Sequence, residues 1–226
     1  LFKRRSKMKK TLITLLASGL LSVGVQAQTL QEGINNLYAG RIKNAITVFE
    51  KLLAVNPNNI EAIYWLGQTK LETDEIMGAR LKDVRSIYEK ALQATNGAPL
   101  IKVGMGHIDL LTNKNEDARQ HFESALTMTR TKKGDDPVIS TAIGRAITDT
   151  KNGDFAYAIR LLEDAASKDP KNTETLIQLG NAYRKARPGE GGGLAFQTYK
   201  KAIEVNSSFV GPYMRLAKLF ESQKNW

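Results

Sequence analysis

Small and large apolar residues recur along this chain with the spacing of one face of a helix. The stretch from Asn152 to Pro170 shows the unit most clearly. Asn152-Gly153-Asp154 is turn chemistry, because Gly and Asn accept a positive φ. Asp169-Pro170 stops the helix, because Pro lacks an amide donor and restricts the residue before it. Between them Ala158, Leu162 and Ala165 fall at i, i+4 and i+7, which predicts one amphipathic helix with a packing stripe. The two alanines on that stripe let a neighbouring helix approach closely.

The same stripe occurs as Ala45/Phe49/Leu52, Val84/Tyr88/Ala91, Ala118/Phe122/Ala125 and Ala195/Tyr199/Ala202. Its first members step by 39, 34, 40 and 37 residues. An upstream series of small residues, Gly33, Gly67, Gly106, Ala146, Gly180 and Ala217, steps by 34, 39, 40, 34 and 37. Together they give a base period of 34 with three insertions: five residues between Gly67 and Val84, six between Ala125 and Ala146, and three between Gly180 and Ala195. Each interval carries turn signals, and surface turns absorb added residues at little entropic cost. The pattern predicts an all-α array of near-identical helix pairs, each burying its apolar face against the next.

A 34-residue period with W-x2-L-G-x2-Y on a first helix, then A-x3-F and Pro on a second, resembles the tetratricopeptide repeat family. Leu176-x2-Leu179-Gly180-x2-Tyr183 matches with Leu for Trp, and Tyr213-x2-Leu216-Ala217-x2-Phe220 with Tyr, Ala and Phe. Ala45-x3-Phe49 is followed by Pro57, and Ala158-x3-Leu162 by Pro170. The middle repeats depart from the pattern: Lys70 and Asp109 stand where Tyr is usual, and no Pro follows Ala125 in place. The resemblance covers roughly residues 29–226 and implies a right-handed α-solenoid of antiparallel helix pairs. Its approximate repeats are 29–59, 60–97, 99–129, 138–172 and 173–208, with a partial sixth over 209–226. In that last helix Leu216 and Phe220 would show an uncovered apolar face, from which the native polypeptide is expected to continue with further repeats.

Charge changes the picture only at the N-terminus. The chain has 33 basic and 23 acidic residues, a formal +10, which first suggests an acidic partner. Residues 1–27 hold six of the Lys and Arg and no acid, so the remainder carries only +4. Leu1–Lys10 is a basic flank, Thr11–Val25 an uncharged, mainly apolar run, and Val25-Gln26-Ala27 a small-residue cleavage pattern. These predict a secretory signal peptide cut after Ala27, and an exported, periplasmic or extracellular array. If the segment were uncleaved it would be the chain's membrane contact. No nucleic-acid partner is expected, given the small remaining charge and export; a nuclease-sensitive, salt-dependent association would revive that reading. The absence of cysteine removes disulfides, thiolate chemistry and Cys-based zinc sites.

No catalytic constellation emerges, so the reading is of a protein that is not an enzyme and has no cofactor or metal. His107 and His121 lie on different predicted helices without a ligand motif or a triad. Asp135-Asp136 lacks alternating calcium-ligand spacing, and Gly189–Gly193 lacks the Lys-Ser/Thr of a phosphate loop and follows a helix instead of a strand. Adjacent acids such as Glu163-Asp164 diverge by about 100° on a helix and make no acid/base pair.

What remains is the groove. The family resemblance implies that successive first helices line a concave surface that takes an extended peptide or a partner helix. Carried onto this chain, the expected partner-facing residues are Tyr64, Trp65, Gln68, His107, Asn181, Arg184, Arg215 and Lys218, with Ile143, Gly144 and Ile147 between them. That surface would be apolar and aromatic in the middle and basic toward its C-terminal end. Chaperone-binding members place a Lys where Ile177 stands here, so that activity does not transfer, although Asn181 and Arg215 match. The expected function is a protein- or peptide-binding scaffold of the cell envelope. The competing expectation is a module that positions a catalytic or glycan-binding domain lying C-terminal to it.

Overall fold

A computed structural model describes residues 30–187 and 192–223. The expected signal peptide, most of the glycine-rich turn at 189–193 and Trp226 lie outside the described residues. Within them the chain is helical with no strand; an isolated bridge between Thr131 and Gly134 closes one loop. The helices are α1 (30–38), α2 (Ile42–Val55), α3 (Ile60–Leu71), α4 (Met77–Ala94), α5 (Pro99–Leu111), α6 (Asn115–Thr129), α7 (Pro137–Thr148), α8 (Phe155–Lys168), α9 (Thr173–Ala186), α10 (Gly192–Val205) and α11 (Val210–Gln223). They pair as an α-solenoid, and the first helices of successive pairs also touch: α3 with α5, α5 with α7, α7 with α9, and α9 with α11.

Local chemistry sets the boundaries. Asn59, Asp136, Asp154 and Asn172 each accept a hydrogen bond from a first-turn amide of α3, α7, α8 and α9, satisfying donors that a helix start leaves free. Pro137 follows Asp136 at the first position of α7, where its missing amide costs nothing. Gly40 turns the chain between α1 and α2 at φ +73° with open space around it.

Every stripe residue of the five second helices is buried, from Ala45/Phe49/Leu52 to Ala195/Tyr199/Ala202. The large member of each stripe fills a gap left by a glycine on its partner helix: Phe49 at Gly33, Tyr88 at Gly67, Phe122 at Gly106, Tyr199 at Gly180. The fourth pair corrects the sequence register. Leu162 packs against Gly144. With Gly144 in the series, the six-residue insertion divides into four residues in the 130–136 loop and two in the turn between α7 and α8.

The two positions that break the repeat pattern are compensated by ion pairs. Lys70 meets Asp83 at 2.8 Å. Asp109, buried, takes Arg85 of α4 at 2.7 Å and lies 3.5 Å from His121 of α6.

The two layers differ in burial. Outer helix α8 buries only the stripe Ala158, Leu161, Leu162 and Ala165. Inner helix α7 buries every residue from Ile139 to Thr148, and α9 every residue from Thr175 to Ala182. A helix buried on all sides belongs to a core. The sequence predicted a concave face open to a partner; in the structure Tyr64, Gln68, His107 and Asn181 are buried, and Tyr38 of the first helix bonds Glu174 of the fifth pair.

Candidate functional site: the closed concave face

One position beyond each glycine gap, the chain places Ile34, Gln68, His107, Arg145, Asn181 and, after Ala217, Lys218. Gln68, His107, Arg145 and Asn181 are all buried.

In the second and third pairs the polar row is a directed chain. The Tyr88 hydroxyl donates to the Tyr64 carbonyl at 2.8 Å and accepts from Gln68 Nε2 at 3.1 Å. That leaves Gln68 Oε1 to accept from His107 Nδ1 at 3.0 Å, which fixes the proton of the neutral ring on Nδ1. Burial, with the positive Arg145 as a second cause, holds the His107 pKa down to about 3. His107 Nε2 and the Tyr64 hydroxyl are buried with no partner among the described residues. The fifth pair repeats the device: Tyr199 donates to Asn181 Oδ1 at 2.8 Å, and Asn181 Nδ2 to Gln178 Oε1 at 2.9 Å. In both pairs an outer-helix tyrosine reaches through the glycine gap to an inner amide.

Arg145 and Tyr38 extend the chain of the fifth pair. Gln178 Nε2 donates to the Tyr38 oxygen at 2.8 Å, and Arg145 Nη1 donates to it at 2.9 Å. Tyr38 donates its own proton to the Glu174 carboxylate, whose oxygens lie at 2.7 and 2.6 Å. Arg145 Nη1 is 3.3 Å from Glu174 and its Nε 3.6 Å from Asp149. Its guanidinium also stands 5.0 Å from the Trp65 ring centre and 5.5 Å from that of Tyr38. Burial works against its charge, but the carboxylates of Asp149 and Glu174 favour the charged form and keep it protonated. Burial, then Glu174, pushes the Tyr38 hydroxyl well above the usual phenol range, so it stays a donor.

The expected partner-facing residues therefore separate into two sets. Tyr64, Gln68, His107 and Asn181 are buried inside the closed face. Trp65, Arg184 and Arg215 are half-buried, and Lys218 is exposed. Arg215 stands 5.6 Å over the Tyr38 ring. Sequence reasoning missed Tyr38, Arg145 and Glu174. Arg145 left a trace, a lone charge inside the apolar run Ile143-Gly144-Arg145-Ala146-Ile147. Tyr38 left none, because its role depends on how tightly the array curls.

No family model matches the sequence. Among solved structures the chain is similar to TTC0263, a thermophilic TPR protein of Thermus thermophilus. The TM-score is 0.52 at 20% identity, covering 86% of this chain and 98% of that one. The chain has the tetratricopeptide-repeat fold. It is also similar to human IFIT1, solved as a dimer with PPP-AAAA, with a TM-score of 0.56 at 18% identity over 81% of this chain. This tetratricopeptide array spans 42% of the IFIT1 chain, less than half of its length.

Proposed function

We propose that this protein is a non-catalytic scaffold of the cell envelope that holds a peptide or partner protein on its concave face. The observation that carries the reading is the buried polar row with three groups lacking a hydrogen-bond partner among the described residues, His107 Nε2, the Tyr64 hydroxyl and Arg145 Nε. A buried polar atom without a partner is unfavourable by about 1–3 kcal/mol, and a merely structural core would replace it with an apolar one. Amides, an imidazole, a phenol and a guanidinium suit a ligand with its own donors and acceptors, such as a peptide backbone. The rim residues Trp65, Arg184, Arg215 and Lys218 would make the first contacts.

Export rests on the basic and apolar N-terminal segment. N-terminal sequencing of the mature protein should begin at Gln28. Crosslinking in intact envelopes should capture a protein partner, and Trp65→Ala, Arg184→Ala and Arg215→Ala should weaken its capture. Unchanged affinity across all three would refute concave-face binding.

A further inference from the structure

We propose that α1 is an intramolecular latch: Tyr38 holds the coil closed, and the inner polar row is reached only when α1 parts from α9 and the α10–α11 turn. The proposal deepens the binding reading above and rests on it for its biological purpose, but the latch itself is a physical claim testable without a partner.

Three observations point to a latch instead of a fused core. The seam joins residues far apart in the chain, Tyr38 and Glu174 being 136 positions from one another, through a compact set of polar contacts: Tyr38 to Glu174, Arg145 and Gln178. Its apolar share is one cluster in which Tyr38 joins Leu176, Ile177, Ala202 and Phe209, the Tyr38 and Phe209 rings meeting edge to face at 5.1 Å between centres. The seam is also incompletely filled. A cavity of about 230 Å³ lies along it, between Gln31, Ile34 and Trp65 on one side and Lys171, Glu174 and Phe209 on the other. Finally, α1 is independently secured to its own pair. Gly33 seats Phe49, and Leu37 packs with Ala45 and Leu52. Parting the seam therefore needs no unfolding of the first repeat. Small rotations summed over successive pairs would suffice, and they would uncover Arg145 and Gln178, which Tyr38 touches directly.

The absence of cysteine gives a clean test. Spin labels on Glu32→Cys and Ser207→Cys, both exposed, report the distance across the seam in the full chain. The unaltered latch should give one narrow, short distance. Tyr38→Phe, which keeps the ring and removes the hydroxyl, should add a longer population. Tyr38→Ala should make that population dominant, with helicity by circular dichroism retained in both. Distances unchanged in both folded variants would overturn the latch. So would loss of helicity in step with any lengthening in both, which would make the seam part of the folding core. If the labels part while envelope crosslinking gains nothing, the latch stands and concave-face binding fails.

Discussion

A β-carbon added to Gly144 would lie 2.6 Å from Cγ of Leu162, closer than packed side chains tolerate. The clash involves the branch point of Leu162 and not only its tip, so the side chain or the helix must shift. Gly144→Ala should destabilise the array by about 1–3 kcal/mol despite the better helix propensity of alanine. In a Leu162→Ala background the same substitution should become neutral or stabilising. Denaturant midpoints of the four proteins measure this coupling; additivity would show that the two residues do not share the gap.

This pair also shows how far the sequence could be read. The stripes on the second helices were legible because their period is local: small, large and small residues at helical spacing need only their own helix and one neighbour. The register of the fourth repeat was not, because Gly144 and Ala146 are both small and lie two apart, and turn insertions on either side absorb the difference. The closed concave face was less legible still. Tyr64, Gln68, His107 and Asn181 could be assigned to the inner face from helical phase alone. Their burial, and the meeting of Tyr38 with Glu174, depend on how successive pairs stack on one another, which no single repeat spells out.

Tyr88 joins the outer layer to the inner row through a single hydroxyl. Tyr88→Phe preserves the ring in the Gly67 gap but leaves the Tyr64 carbonyl and the Gln68 amide without that partner. A loss of about 1–3 kcal/mol is expected by chemical denaturation. Tyr199→Phe should behave alike, since its hydroxyl serves Asn181 in the same way. A loss near zero at both positions would show that water replaces the hydroxyl and that the row is wetter than its burial implies.

Arg145 is a buried cation facing two carboxylates that keep partial contact with solvent. Arg145→Met removes the cation and leaves Glu174 beside Tyr38 without its counter-charge. The expected loss is about 3 kcal/mol, since removing one member of a buried pair strands the other. Arg145→Met combined with Glu174→Gln should recover a substantial part of it. Arg145→Lys should not fully substitute, because an ammonium cannot span the Tyr38 oxygen, Glu174 and Asp149 from one planar group. Thermal melts of the single and double variants at neutral pH distinguish these cases. Equal losses in Arg145→Met and the double variant would separate Arg145 from Glu174 energetically.

His107 makes stability depend on pH with a definite sign. Its folded pKa, about 3, lies below the unfolded value of 6.5, because burial and then Arg145 disfavour the imidazolium. The unfolded chain therefore takes up a proton near pH 6.5 that the folded chain refuses until about pH 3. Its contribution to stability is complete above pH 6.5 and is lost progressively as pH falls toward 3. At pH 5 the loss from this one group is about 2 kcal/mol, following roughly 1.36 kcal/mol per pH unit. His107→Gln keeps a donor for Gln68 and removes the titration. Between pH 7 and pH 5 the parent should lose about 2 kcal/mol more than this variant in urea unfolding, with His121 common to both. Parallel pH profiles would mean that His107 titrates normally in the folded chain, and that the concave face admits solvent to its imidazole.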